Sequence, residues 1–310
     1  MAFSHTTVLL YETCNALSIK PNGVYVDCTL GGGGHAEVIA SRLGTRGRLI
    51  AIDCDPQAMT AARARLISYQ DRITYVLDNF CNMASILKSY APDGIDGAII
   101  DLGVSSHQLD SPERGFSYHS ADAPLDMRMS QVGKSAADVV NTYSQSELKR
   151  IISQYGEERF ANRIAKEIVQ RRETMLFSTT GQLADAIKSA IPGGYYEDKH
   201  PARRTFQAIR IEVNNELDII PPTLMTLVEA LKIDGILAVI TFHSLEDRAV
   251  KETFQRYVEG CTCPRDFPVC ICGFKPKLKI LNRKPMVASK EELETNSRSR
   301  SAKLRTVQKI

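Results

Sequence analysis

Val24-Tyr25-Val26-Asp27-Cys28-Thr29-Leu30-Gly31-Gly32-Gly33-Gly34-His35 is the most telling stretch of this 310-residue chain. An apolar strand ends in an acid, runs into four consecutive glycines and enters a helix. A second strand, Leu49-Ile50-Ala51-Ile52, ends in Asp53, twenty residues past Gly33. Glycines let a ligand lie against bare backbone, and the helix N-terminus behind them offers free N–H groups. An acid at the tip of the next strand can bind the two hydroxyls of a ribose. The pattern points to a cofactor that carries a nucleoside.

Charge separates the two cofactors that fit. Gly31-x-Gly33-x-x-Ala36 satisfies the dinucleotide fingerprint, with Asp53 where that fingerprint wants its ribose acid. Asp27 lies four residues before the first glycine and argues otherwise. Its carboxylate would repel a pyrophosphate and attract the ammonium and sulfonium charges of S-adenosylmethionine. A plain turn would not need four glycines, because each costs conformational entropy on folding.

Strands and helices alternate on either side of this loop. Helices are expected near His35–Leu43 and over Pro56–Ile67, Pro56 suiting a first helical turn. A third strand, Ile73–Leu77, leads to Asp78-Asn79-Phe80, and a fourth, Gly97–Ile100, runs into Asp101-Leu102-Gly103. Apolar runs of this length between helices predict a doubly wound, mostly parallel α/β sheet covered on both faces. Ligands of such sheets bind beyond the carboxyl ends of the strands, where Asp27, Asp53, Phe80 and Asp101 would gather.

Strand signals then stop. Ser144-x-x-Glu147 is a capping box, and the helix behind it carries Leu148, Ile151, Ile152 and Tyr155 on one face. A second helix holds Phe160, Ile164 and Ile168 with a basic edge of Arg159, Arg163, Lys166, Arg171 and Arg172. A third carries Leu183, Ala186, Ile187 and Ile191 and stops at Pro192-Gly193-Gly194. The core resumes with helices over Thr205–Ile219 and Pro222–Leu231, the strand Ile236–Phe242, and a last strand pair opening at Leu278–Leu281. The expected organisation is a first core part over 1–113, an inserted helical domain over 114–204, and a second core part with a basic tail over 205–310.

A hydrophobic content of 43% with 24% charged residues is the balance of a soluble globular protein. No apolar run is long enough to span a bilayer, and the amino terminus lacks a secretory pattern, so the expected location is the cytoplasm with no membrane partner. The net charge of +3 is uneven: residues 275–310 carry +8 and the rest −5. A segment so basic suits a polyanion such as RNA, or is simply solvated. Of eight cysteines, Cys14, Cys28, Cys54 and Cys81 sit in apolar surroundings as small hydrophobes. Cys261-x-Cys263 and Cys270-x-Cys272 leave two alternatives, a zinc ion or a reduced loop, the one-residue spacing being tighter than usual for zinc.

Several segments together resemble the RsmH (MraW) family. They are His5–Glu12, the glycine loop ending in His35, Asp101-Leu102-Gly103-Val104-Ser105-Ser106, Arg114-Gly115-Phe116-Ser117 and Pro124-Leu125-Asp126-Met127-Arg128-Met129. Tyr155-Gly156-Glu157-Glu158-Arg159-Phe160, His200–Phe206 and Phe242–Arg248 complete the set, so the resemblance covers nearly the whole chain. Ser130 departs from the pattern, standing where an acid or amide is usual. The resemblance implies the class I S-adenosylmethionine-dependent methyltransferase fold and methylation of N4 of one cytidine in 16S ribosomal RNA of the small subunit. It implies cofactor contacts at Gly33, Gly34, His35, Asp53, Phe80, Asp101 and Gln108. His35 could instead only begin its helix, and Gln108 could merely satisfy loop backbone.

The exocyclic amine of cytosine is a poor nucleophile, since its lone pair is delocalised into the ring. An acceptor beside it can align the lone pair and withdraw charge as it develops. Asp101 is the first candidate for that catalytic role, with cofactor binding alone as the alternative. His243, after the strand Ile236–Phe242, is a second candidate, for proton transfer, phosphate contact or mere support of a loop. Many amino-methyltransferases carry Pro-Pro-aromatic after the acid, whereas this chain has Leu102-Gly103-Val104. A flipped cytosine would need another platform, for which Phe116 and Tyr118 are candidates. A non-catalytic RNA-binding factor and an NAD-dependent dehydrogenase are the competing readings.

Overall fold

The structure, a computed structural model, describes residues 7–193, 200–260, 263 and 271–310. The chain divides into two units, one formed by residues up to Gly103 and from Leu217 onward, the other by Val104–Glu216. The first unit begins with α1 (Leu10–Ala16), β1 (Val24–Asp27), α2 (Gly34–Arg42) and β2 (Arg48–Asp53). It continues through α3 (Pro56–Arg65), β3 (Ile73–Leu77), α4 (Met83–Tyr90) and β4 (Ile95–Asp101). The second unit supplies α5 (Ser106–Asp110), α6 (Ala136–Thr142), α7 (Gln145–Gly156), α8 (Ala161–Arg172), α9 (Thr180–Ala190) and α10 (Arg203–Asn214). The first unit then resumes with α11 (Ile220–Ala230), β5 (Leu231–Thr241), α12 (Ser244–Val258), β6 (Leu278–Ile280), α13 (Lys290–Thr295) and β7 (Lys303–Lys309).

The strands form one sheet in the order β3-β2-β1-β4-β5-β7-β6. Neighbours from β3 to β5 are parallel, and β7 runs antiparallel to both β5 and β6. Strand order reverses between β1 and β4, the switch point at which open sheets leave a ligand crevice. Asp27, Asp53 and Asp101 are the last residues of β1, β2 and β4, so all three acids stand at that edge.

Both faces of the sheet are buried, which is why its strands read as unbroken apolar runs. Leu49, Ala51, Ile99, Ala238 and Ile240 enter one core with Ile39 of α2 and Leu304 of β7. Ile50, Ile52, Ala98, Ile100, Leu237 and Val239 enter the other, with Ile86, Leu224 and Leu227. Alternation along each strand deals successive residues to opposite faces. β5 starts at Leu231, earlier than expected, because its pairing with β4 jumps from Ile95↔Leu231 to Gly97↔Ile236. The residues between, Lys232, Ile233, Asp234 and Gly235, are looped out, with Asp234 at φ 66, so they resemble a turn in sequence.

The basic C-terminal segment is not a tail. β7 lies between β5 and β6 inside the sheet, and some of its cations are neutralised by the same unit. Asp247 of α12 receives Arg305 Nε at 2.7 Å and Lys303 Nζ at 3.2 Å, while Lys277 pairs with Glu229 at 2.8 Å. The expectation of a basic tail is corrected accordingly: alternating apolar residues Leu304 and Val307 dock this strand into the two cores.

The second unit has its own core of Phe116, Leu125, Met127, Leu148, Ile151, Ile164, Ile168, Leu183, Ile187, Phe206 and Ile209. The capping box Ser144–Glu147 is formed as read, and Ser105–Gln108, Ser135–Asp138 and Thr179–Gln182 repeat it. Its limits differ from the expected 114–204. α10 belongs to it because Phe206 and Ile209 enter this core, and α5 belongs because Leu109 packs on the same cluster. Gly156 permits the close approach of α7 and α10, since a Cβ there would meet the Arg204 carbonyl at 2.7 Å. Among the described residues no helix is long and apolar enough to cross a membrane.

Candidate active site

The loop after β1 is tied to the strands on either side of it. Leu30 N donates to the Ile52 carbonyl at 2.8 Å, and Cys28 N to the Ile99 carbonyl at 2.9 Å. Thr29 links two acids: its N–H donates to Asp27 Oδ1 at 3.1 Å, and its Oγ1 accepts from Asp101 N at 2.7 Å. Gly31 N donates to Asp53 Oδ2 at 2.7 Å, and Asp55 N to Asp53 Oδ1 at 2.8 Å. Asp53 therefore clamps the glycine loop to the end of β2.

The glycines have separate reasons. Gly31 and Gly33 lie at φ 50 and φ 79, left-handed backbone that glycine tolerates best, and Gly33 caps α2. Gly34 is needed for packing, since a Cβ there would collide with the side chain of Thr7. His35 follows in the first turn of α2 and is buried.

Burial and mutual repulsion dominate the electrostatics. Asp27 is 1% exposed, and burial pushes its carboxyl up to about 7 against the pull of the Thr29 N–H, with the Asp53 charge adding to the rise. Burial likewise takes Asp53 to about 6, although the N–H groups of Asp55 and Gly31 oppose it. Asp101 stands well above the usual carboxylate range because of burial, then the charges of Asp27 and Glu246. Asp27 Oδ2 and Asp101 Oδ1 are buried without a hydrogen-bond partner. Such an arrangement is stable only if the acids hold protons or a cation arrives.

The remaining predicted residues fall in different places. Phe80 opens the short 3₁₀ turn after β3. Its side chain packs partly on the second core, and its carbonyl accepts from Thr223 Oγ1 at 3.2 Å. His243 is the N-cap of α12: its Nδ1 accepts from Glu246 N at 3.4 Å, and its Nε2 lies 3.1 Å from Glu246 Oε1. Glu246 Oε2 returns the capping box by accepting from Phe242 N at 2.7 Å and His243 N at 3.2 Å. Gln108 belongs to the second unit, where its Oε1 accepts from Ser105 N at 3.0 Å in the cap of α5. The structure thus brings Asp27, Asp53, Asp101 and the glycine loop together and gives His243 and Gln108 capping duties.

Thr29 and Glu246 are site residues that the sequence did not single out. A threonine between a strand and a glycine run carries no pattern of its own. Glu246 carried one, since His243-x-x-Glu246 has the spacing of a capping box. Of the two proposed platforms, Phe116 is 5% exposed within the helical core and Tyr118 is half-buried. Arg114 is buried too, donating from Nη2 to the carbonyls of Arg128 and Met129 at 2.9 Å each. Gly115, at φ 69, lies where a Cβ would strike the Pro124 backbone. The two motifs at 114–117 and 124–129 therefore hold each other's backbone. In the thiol group, Cys261 and Cys270 lie outside the described residues, and no metal arrangement is read from Cys263 and Cys272 alone.

A sheet with this strand order, an antiparallel β7 and a glycine turn at its switch point has the fold of class I S-adenosylmethionine-dependent methyltransferases. The chain belongs to the MraW methylase family, whose model it matches over residues 2–310. It is 52% identical to the ribosomal RNA small subunit methyltransferase H of Brevibacillus brevis, over 100% of this chain and 99% of that protein. It is 53% identical to the protein of the same name from Clostridium botulinum strain Loch Maree, over 100% of both.

Proposed function

We propose that this chain transfers a methyl group from S-adenosylmethionine to N4 of a cytidine in the 16S RNA of the small ribosomal subunit, in the cytoplasm. One observation carries the choice of donor. Asp27 Oδ2 and Asp101 Oδ1 are buried without hydrogen-bond partners, and neighbouring acids add to the pressure on both carboxyls. A cationic ligand relieves that repulsion, whereas a pyrophosphate would add to it. The glycine loop, with Gly31 and Gly33 in left-handed backbone, fits the same ligand by leaving backbone uncovered. The RNA and the base come from the family motifs and from the names of the relatives.

Bound S-adenosylmethionine supplies a methyl group made electrophilic by its sulfonium charge. Asp53 would accept from the ribose hydroxyls, and the backbone of Gly33, Gly34 and His35 would border the methionine portion. Phe80 would present a ring face to adenine. Asp101 would accept a hydrogen bond from the cytosine amine at Oδ1, turning the nitrogen lone pair toward the reacting carbon. Its raised proton affinity suits it to hold the proton that the amine gives up. His243 would keep β5 and α12 in place and face the RNA.

The test is a nucleoside digest. Small subunits lacking the modification are incubated with the protein and methyl-labelled donor, then hydrolysed. Label in N4-methylated cytidine is expected; label confined to C5 or to a ribose would overturn the assignment.

A further inference from the structure

We infer that the Tyr118–His200 ring pair on the helical unit is a stacking platform for an unpaired base of the RNA strand. The inference rests on the RNA reading above and adds a contact to it. The two rings are parallel to within 9°, with centroids 4.5 Å apart. Phe206, which is buried, meets Tyr118 edge-on at 5.5 Å and 87° and fixes its plane. His119 leans on the same tyrosine at 4.5 Å. Tyr118 is half-buried, but His119 and His200 are exposed. Tyr118 covers one face of the His200 ring, and His119 stands at 6.0 Å, tilted by 58°, while His200 as a residue stays exposed.

The imidazole is held in place by its backbone. His200 Nδ1 accepts from Ala202 N at 3.2 Å at the start of α10. That bond assigns the hydrogen to Nε2, which is left as a donor at the ring's outer edge. Burial, and then the nearby charges of His119 and Lys188, lower the proton affinity of His200 below its ordinary value. A neutral imidazole at pH 7 stacks as an aromatic surface.

Among the described residues, the charged groups that act on this ring are His119 and Lys188. Lys188 of α9 is exposed, and so is Arg203, whose backbone N–H donates to the His200 carbonyl at 3.1 Å. Among the described residues neither forms an ion pair. A planar face beside fixed positive charge suits a base with its phosphate, since every base has a π-face and stacking needs no sequence match. An exposed aromatic pair in a purely structural role would leave both the face and the cations idle.

The probe is a short unstructured oligoribonucleotide of cytidine and uridine carrying one 2-aminopurine, added to the full-length protein. Stacking quenches that base, and anisotropy of an end label gives affinity. His200→Asn keeps an acceptor for the Ala202 N–H and removes the ring; Tyr118→Phe keeps the stack. Wild type and Tyr118→Phe are expected to bind and quench alike, and His200→Asn to lose the quench with about five- to 150-fold weaker binding. Uptake of S-adenosylmethionine and the melting temperature should be unchanged in all three. Full quench and affinity in His200→Asn, or no binding by wild type, would overturn the platform. A wild type that binds and quenches but transfers no methyl group would leave the platform standing and defeat the methyltransferase reading instead.

Discussion

Asp101 and Thr29 are joined by a single short bond, from the backbone N–H at the tip of β4 to the threonine Oγ1 2.7 Å away on the glycine loop. Because the Thr29 backbone N–H also donates to Asp27 Oδ1, one residue ties both acid-bearing strand ends to the glycine loop. Thr29→Val would leave the Asp101 N–H without this acceptor and is expected to cost about 1–3 kcal/mol of stability. Thr29→Ser should stay near wild type. Urea denaturation of the three proteins distinguishes these outcomes, and equal midpoints would remove the bond from the account.

Stability should fall as pH rises from about 4 to about 7 in the absence of donor. The sign follows from the carboxyls at about 7 for Asp27 and about 6 for Asp53, both above the ~3.9 of an unfolded aspartate. Within that window the folded state binds more protons than the unfolded one, so raising pH favours unfolding. Asp27→Asn should flatten this slope and raise the melting temperature above neutral pH, while weakening uptake of S-adenosylmethionine. A melting profile unchanged by the substitution would show that Asp27 is not the group responsible.

Asp247 should act in the opposite direction. Burial raises its proton affinity, but Arg305 and Lys303 outweigh that and hold it below the usual range. A depressed carboxyl stabilises the fold above its unfolded value and loses that contribution as pH falls through the folded one. Asp247→Asn is therefore expected to destabilise the protein at neutral pH and to matter less in acid. Thermal melts across that range are the check.

Replacing Asp101 by asparagine should slow methyl transfer by about 10²–10⁴-fold, the usual contribution of a positioned proton acceptor. Uptake of the donor should weaken, since one of the two unpaired carboxylates is lost, but survive on Asp27, so transfer is compared at saturating donor. Single-turnover transfer to small subunits measures the step directly, and near-normal rates would assign Asp101 to binding alone.

Gly34→Ala should destabilise by about 1–3 kcal/mol, as overpacking does, because its Cβ meets Thr7. Pairing it with Thr7→Ala should recover part of the loss, the mark of two side chains that touch. Additive losses in the double mutant would contradict the packing role.

The parallel sheet was legible because its strands are buried on both faces, which leaves runs such as Leu49–Ile52 and Gly97–Ile100 unbroken by polar residues. The acids at the strand ends were legible for the same reason, as abrupt charges after apolar runs. β5 was harder: its looped-out residues at 232–235 look like a turn. Limits of the helical unit were missed by about ten residues at each end, since whether α10 packs on the sheet or on other helices is a tertiary choice that amphipathic spacing does not record. The roles of single residues were least legible. Glycine at 34 serves packing and glycine at 33 serves a left-handed turn, yet the two read alike. His243 and Gln108 each cap a helix, a duty that the sequence pattern does not tell apart from a chemical one.

The most direct test of the central claim, that buried uncompensated carboxylates await a cationic donor, is isothermal titration of the protein with S-adenosylmethionine and, separately, with NAD. The account predicts saturable one-to-one uptake of S-adenosylmethionine, tighter at about pH 8 than at about pH 6 because protons leave the acids as the cation enters, and no uptake of NAD. Binding of NAD in preference, or uptake of S-adenosylmethionine that strengthens as pH falls, would contradict it.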